Sequence, residues 1–179
     1  MLALGALNEP ISYLFIKLLH SNAIPNNLYA LAEWLLIAWQ FQIWGLLRGK
    51  LTIYYVFVLL ISLIWVTEDL VLLEITIYPP YFQVFYCFIV VLFSVNKINF
   101  MITHDNRRLY GNPIFLICIG FIVFFIYRII YEWAYQTSIE GGNDTTNLII
   151  MLFSYVNLLT NIIFAIALLR IPRPQKFTL

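Results

Sequence analysis

Four charged side chains interrupt long apolar stretches of this sequence: Glu9, Lys17, Glu33 and Arg128. The last three, with Glu132 one turn beyond Arg128, are the best candidates for chemistry. A charge inside a hydrocarbon-solvated segment is costly and usually faces protein or water, so it marks a possible site. Lys17 and Glu33 lie near the facing ends of consecutive apolar runs, where an ion pair is geometrically possible. Arg128 and Glu132 are spaced i, i+4 and can pair along one helix. We therefore predict a polar cluster of Lys17, Glu33, Arg128 and Glu132 in the outer half of the membrane, with Glu68 and Asp69 as further candidates at its mouth.

Structural roles are the leading interpretation of these residues, binding or conduction of a solute is the second, and catalysis or sensing is the third. Lys17 and Arg128 lie close enough to the ends of their runs for their long side chains to reach the membrane surface. Glu132 would then be solvated. Glu33 is different, because it lies about one to two turns inside its run, too deep to be solvated without a partner.

A second set of polar residues lies in the last apolar run. Ser154, Asn157 and Asn161 are spaced i, i+3 and i+7, which places them on one helix face. Ser and Asn side chains inside membranes commonly form hydrogen bonds between helices. The spacing predicts a polar stripe that packs against another helix.

Motifs for metal binding, phosphate binding and nucleophilic catalysis are missing from the sequence. It contains two histidines, His20 and His104, and the topology below puts them on opposite sides of the membrane, which excludes a haem held by both. No Cys, His and carboxylate set has metal-ligand spacing. We expect no cofactor and no metal, and a non-catalytic role over an enzyme, with an intramembrane enzyme acting on lipid as the remaining catalytic alternative.

The most polar loop is HDNRRLYGN, residues 104–112. His104, Arg107 and Arg108 could contact a partner or anionic lipid head groups there. A solvated basic loop is the alternative.

The amino-acid composition indicates what class of protein holds these residues in place. Of the 179 residues, 63% are hydrophobic and 11% are charged, whereas soluble domains carry about 25% charged residues. There is too little polar surface to coat a water-soluble globule. The net charge of +1 gives no reason to expect nucleic-acid binding.

Six apolar runs can be read along the chain, each close to the length of about 20 residues that a helix needs to cross a bilayer. They predict an all-α polytopic bundle of six spans in one transmembrane domain, residues 1–179, without a soluble domain. Pro79-Pro80 and Asn112-Pro113 predict helix starts, since proline fits the first helical position. The predicted spans are about 2–20, 28–47, 51–67, 81–100, 114–133 and 148–169.

The basic loop residues set a predicted orientation. Eight of the ten Lys and Arg residues fall in alternate connections or after the last run, and such residues stay on the cytoplasmic side. They are Arg48, Lys50, Lys97, Arg107, Arg108, Arg170, Arg173 and Lys176. The C-terminus is therefore predicted to be cytoplasmic. If the first run spans, the N-terminus is cytoplasmic too. If Pro10 breaks that run, Ile11 to Leu19 is too short to cross and would be interfacial or re-entrant.

Three stretches carry a resemblance: NNLYALAEWLL at 26–36, GNPIFLICIGFIVFF at 111–125 and NLLTNIIFAIALL at 157–169. Together they resemble a family of small, uncharacterised multi-helix inner-membrane proteins of Bacteroidota. The resemblance implies six helices in a bacterial inner membrane. It marks Glu33, Asn112, Pro113 and Asn161 as positions to test.

Two functional hypotheses follow from a chain with almost no mass outside the bilayer. The first is an accessory or regulatory subunit of a larger membrane complex, or a homo-oligomer, whose partners are membrane lipids and other membrane subunits or copies of itself. The alternative is a small transporter or channel that uses the polar cluster around Glu33.

Overall fold

The computed structural model describes residues 10, 13–15, 17, 23–46, 51–68, 80–104, 109–141 and 144–171. Regular structure in these residues is helical, which confirms the all-α fold class. The helices are α1 Ala23–Ile43, α2 Leu51–Val66, α3 Pro80–His104, a 3-10 turn Leu109–Gly111, α4 Pro113–Gly141 and α5 Asp144–Leu169.

Three of these helices are long and apolar enough to cross a membrane, at Tyr81–His104, Pro113–Gln136 and Asn147–Leu169. Many large apolar side chains on them are exposed, as hydrocarbon-facing residues are. This indicates a membrane protein. α1 spans 21 residues but carries several polar side chains, and α2 spans 16. The predicted spans for these two runs and for the first run stay predictions, and most of the first run lies outside the described residues.

The chain divides into two compact units, Met1–Val90 and Val91–Leu179, with the boundary inside α3. Each unit is described by itself.

In the first unit, α1 buries one face that carries Ala30, Trp34, Ile37 and Phe41. Their spacing of three or four residues places them on one side of the helix. The indole N–H of Trp65 in α2 donates to the backbone oxygen of Asn27 in α1, at 3.3 Å. α1 and α2 are thus joined by a buried hydrogen bond as well as by apolar contact.

Gly45 ends α1 through a left-handed cap. Its φ is 70°, a conformation that costs little for glycine only. The N–H of Gly45 donates to the oxygen of Gln42, and the N–H of Leu46 donates to that of Phe41. This is the Schellman pattern, which satisfies the last carbonyls of the helix and turns the chain toward α2.

α3 begins at Pro80, as the proline pair predicts, and its first turn is capped by a distant carboxylate. Glu68 accepts hydrogen bonds from the N–H groups of Tyr81, at 2.9 Å, and Phe82, at 2.6 Å. Because the Glu68 side chain is buried, water does not replace it easily. A negative charge at a helix N-terminus is also favoured by the helix dipole.

Replacing Glu68 with alanine should lower the free energy of unfolding by about 1–2 kcal/mol, because two N–H groups of the first turn lose their acceptor. Glu68→Gln keeps one carbonyl oxygen and should lose less. Thermal unfolding in mild detergent, followed by circular dichroism, measures both. Identical stability of Glu68→Ala and the wild type would show that the cap contributes nothing.

In the second unit, α4 begins at Pro113, again as predicted, and Asn112 caps it: its Oδ1 accepts from the N–H of Ile114 at 2.9 Å. α4 and α5 pack along their length through aromatic rings. Phe153 lies 4.6 Å from Tyr131 and 5.8 Å from Phe124 between ring centroids. These contacts hold α5 against α4 and decide which of its faces stays exposed.

Candidate functional site

Glu33 lies in the interior of the first unit and accepts two tyrosine hydroxyls. Only 4% of its surface is exposed. The Tyr86 hydroxyl donates to one carboxylate oxygen at 2.7 Å, and the Tyr29 hydroxyl donates to the other at 3.2 Å. We call Tyr29, Glu33 and Tyr86 the Glu33 cluster. It connects α1 to α3 by a hydrogen bond between residues 53 positions apart in the chain.

Other buried polar side chains lie on the same helices. Gln83 is one turn before Tyr86 on α3, and Asn27 is on α1; both are almost fully buried. A polar set of this kind inside an apolar unit is costly unless hydrogen-bonded. Of the eight buried polar or charged residues among those that the structure describes, four lie in this unit: Asn27, Glu33, Glu68 and Gln83.

Chemically, the Glu33 cluster is a carboxyl group whose oxygens are held by two phenol donors. Ionised, the carboxylate accepts from both hydroxyls; protonated, it would itself become a donor. Such a group is able to take up and release a proton or to face a cation. The same hydrogen bonds would also serve a purely structural link between helices.

Lys17 is helical and its side chain is exposed. Exposure fits the alternative in which this lysine reaches the membrane surface. The predicted Lys17–Glu33 ion pair stays a prediction.

Arg128 and Glu132 lie in α4, in the second unit. Their predicted i, i+4 pairing is present, with Arg128 Nε 3.8 Å from Glu132 Oε1. Glu132 is 2% exposed, so the alternative in which it is simply solvated is wrong. An ion pair this buried is costly to desolvate and needs its geometry preserved. Whether the pair joins Lys17 and Glu33 in a single cluster stays a prediction.

The stripe Ser154, Asn157 and Asn161 is exposed on α5. The Asn161 amide donates to Oδ1 of Asn157 at 3.2 Å, along the helix. The stripe lies roughly a quarter of a turn around α5 from the face with Phe153 and Phe164, which packs on α4. Its packing against another helix stays a prediction, and its exposure leaves the stripe accessible.

His104 is the last residue of α3, and its exposed ring stacks on Phe100 at 4.4 Å between centroids. Arg107 and Arg108 of the predicted contact loop lie outside the described residues. Lys97, which the loop-charge argument places in a connection, is instead inside α3, seven residues before its end, and is buried. The helix continues past residue 100, the predicted end of this span, and ends at His104, so Lys97 lies inside it.

Sequence reasoning did not include the two tyrosines of the Glu33 cluster. The sequence spacing points to Tyr29, because it lies four residues before Glu33 on the same helix. No sequence pattern points to Tyr86, because only tertiary packing brings α3 to α1. Among the described residues, no three His, Cys, Asp or Glu side chains are grouped closely enough to hold a metal ion.

Comparison with models of protein families, with curated proteins and with solved structures finds no match in any of the three. The resemblance to the membrane-protein family of Bacteroidota therefore stays a prediction.

Proposed function

We propose that this protein is an accessory subunit that acts by contact with other membrane proteins or with copies of itself, and that α5 is the helix through which it assembles. The observation that carries the proposal is the pair Asn157 and Asn161, exposed on a helix long and apolar enough to cross a membrane. Two amides facing lipid are unfavourable, since hydrocarbon offers no hydrogen-bond partner.

A neighbouring helix would relieve that cost. Asn157 and Asn161 satisfy only part of their hydrogen-bonding capacity by bonding to each other, because each amide has two donor hydrogens and an accepting oxygen. Hydrogen bonds between membrane helices contribute about 0.6 kcal/mol each and reach about 1.7. Ser154 and Ala165, small residues on the same side, would allow close approach of the backbones.

The test is the size of the particle in mild detergent or native nanodiscs, measured by size-exclusion chromatography with light scattering. The wild type should be larger than one chain of 21.0 kDa, either as a self-assembly or with a co-purifying partner. The double substitution Asn157→Leu with Asn161→Leu should weaken the assembly about tenfold or more.

The matched control is Leu152→Ala with Leu159→Ala, two exposed residues on the other flank of α5. These substitutions should leave the assembly unchanged. A wild-type chain that is a stable monomer in both media would contradict the proposal.

The burial of Glu33 favours a second candidate, a small transporter or channel. A carboxyl group held by two tyrosines inside a membrane unit is able to exchange a proton or a cation as described above. Proteoliposomes should then show ion or solute flux that falls to background in Glu33→Gln and is reduced in Lys17→Gln. Unchanged flux in Glu33→Gln, or flux absent from the wild type, would contradict this function.

The proposed location is a bacterial inner membrane with the C-terminus in the cytoplasm. Its support is the charge asymmetry of the sequence: Arg107 and Arg108 come after α3 in the chain, and Arg170 follows α5 directly. Both ends belong on one side if the intervening helices cross. Tags at the two termini, probed in intact cells, test this; a C-terminal tag accessible from outside would contradict it.

A further inference from the structure

α5 leaves most of its surface uncovered within the second unit. Among the described residues it is the least buried of the three helices long and apolar enough to cross a membrane: 6% of its span lies inside the protein, against 28% for α4. Its contact with α4 is made on one side, where Thr160 and Ala167 are buried. The remaining faces of the helix are accessible to lipid or to another chain.

Exposed residues on α5 recur at alternating intervals of three and four, which is the spacing of the seam between two helices that wind around each other. Positions that average 3.5 residues apart stay on one face of a left-handed helix pair. This face lies about a third of a turn around the helix from Thr160 and Ala167. We call it the α5 seam, and all six of its residues are exposed: Met151, Ser154, Leu158, Asn161, Ala165 and Leu168.

Asn161 makes the α5 seam different from the other exposed face of the helix. It lies near the middle of the span Asn147–Leu169. Its bond to Asn157 uses one of the two hydrogens on the amide nitrogen. The second hydrogen and the Oδ1 oxygen are a donor and an acceptor that hydrocarbon does not satisfy. The neighbouring exposed face, with Ile162 and Leu169, is apolar and is covered by lipid without that cost.

A second copy of the chain satisfies the Asn161 amide through symmetry. Loop charges give every copy the same orientation in the membrane, so the α5 helices of a dimer run parallel around a two-fold axis. Seam residues next to that axis face their own counterparts. An amide is complementary to itself, because its N–H donates to the other amide's oxygen and its own oxygen accepts in return. Charged residues would repel each other there, and the sequence has none between Asp144 and Arg170.

Small residues on both sides of Asn161 allow the two helices to come close. Ser154 lies seven residues before Asn161 and Ala165 lies four residues after it, both within the α5 seam. Small side chains at such positions let membrane helices approach closely enough to form hydrogen bonds between them. A different protein would have to supply a matching amide at the same depth, whereas a second copy always supplies one.

We propose that the partner of α5 is the α5 helix of a second copy, in a parallel dimer whose two Asn161 amides bond to each other across the two-fold axis. The dimer rests on the proposed function, assembly through α5, and names the partner in that assembly. Ser154, Leu158 and Ala165 of the two copies pack around the amide pair.

The composition of the purified particle identifies the partner. The wild-type protein is extracted in mild detergent, and its mass and its chains are measured by light scattering and native mass spectrometry. The dimer predicts a particle of one kind of chain with twice the mass of 21.0 kDa. One copy bound to a different protein would overturn the dimer and leave the assembly through α5 standing. A lone chain would overturn both.

Cysteine cross-linking in membranes tests which face of α5 meets its copy. Ser154→Cys and Leu158→Cys should form disulfides between chains under mild oxidation, because a disulfide needs Cα atoms about 4–7 Å apart and seam residues meet their counterparts. The matched controls are the next residues, Tyr155→Cys and Leu159→Cys, which are also exposed but lie about 100° further around the helix. The controls should cross-link about tenfold more slowly. The wild-type chain, in which Cys87 and Cys118 are buried, is the blank.

Two leucine substitutions test the amide pair, with dissociation on dilution in detergent as the measurement. Asn161→Leu should weaken the dimer about tenfold. Asn157→Leu is the matched control, since it makes the same change one turn away and outside the seam, and it should weaken the dimer about threefold or less. Equal weakening by the two substitutions would overturn the dimer, as would equal cross-linking at Leu158 and Leu159.

Discussion

Replacing Glu33 with alanine should lower the free energy of unfolding by about 3 kcal/mol, because the Tyr86 and Tyr29 hydroxyls lose their shared acceptor in the interior of the first unit. Tyr86 is fully buried, so water does not take the place of the carboxylate there. For a chain of this length the melting temperature should fall by roughly 6–12 °C. Thermal unfolding in mild detergent measures the change.

A double-mutant cycle separates the hydrogen bond from the loss of side-chain volume. In a Tyr86→Phe background, Glu33→Ala should cost about 1 kcal/mol less than in the wild type, because the buried hydroxyl is already gone. Tyr155→Phe is the matched control: Tyr155 is 61% exposed on α5, and losing its hydroxyl should change stability by less than about 0.5 kcal/mol. Additive effects of the two substitutions in the cycle would show that Glu33 and Tyr86 are not coupled.

Substituting Gly120 with leucine should separate α4 from α5 and lower the free energy of unfolding by about 3 kcal/mol or more. A Cβ added at Gly120 would lie 2.5 Å from the ring edge of Phe164, closer than any unstrained contact. Phe164 also packs against Phe121, at 5.5 Å between ring centroids, and this contact restricts the movement of the Phe164 ring. Gly120→Ala should cost about 1–3 kcal/mol by the same mechanism.

Removing the ring should relieve the clash. Phe164→Leu should therefore restore part of the stability lost in Gly120→Ala, giving a coupling of about 1 kcal/mol in the combined variant. Gly111→Ala is the control, because a Cβ there meets nothing within 4 Å, and it should be close to neutral. If Gly120→Ala proved as stable as Gly111→Ala, the close approach of Gly120 and Phe164 would be wrong.

Several structural features could be predicted because they depend on neighbours in the chain. Proline at the first helical position explains why the starts of α3 and α4 were found from Pro80 and Pro113. The Arg128–Glu132 pair was found for the same kind of reason, since four residues make one helical turn. These contacts need only a helix, and the apolar runs predict one.

Other features could not be read from the sequence. Glu68 was expected near the mouth of a polar cluster, whereas it caps α3 from a position 13 residues earlier than Tyr81. Lys97 was counted as a loop residue, whereas α3 continues past it and buries it. The length of a helix beyond its apolar run, and the direction in which the chain returns to cap it, depend on packing with other elements.

The sequence by itself determined that this chain is helical and apolar, and where two of its helices begin, because composition, run length and proline geometry are local properties. Only the tertiary structure decided that Glu33 meets Tyr86, that Lys97 is buried, and that Asn157 and Asn161 are exposed. Each of these depends on how helices far apart in the chain rotate and pack against one another, and a periodic apolar pattern permits many such packings.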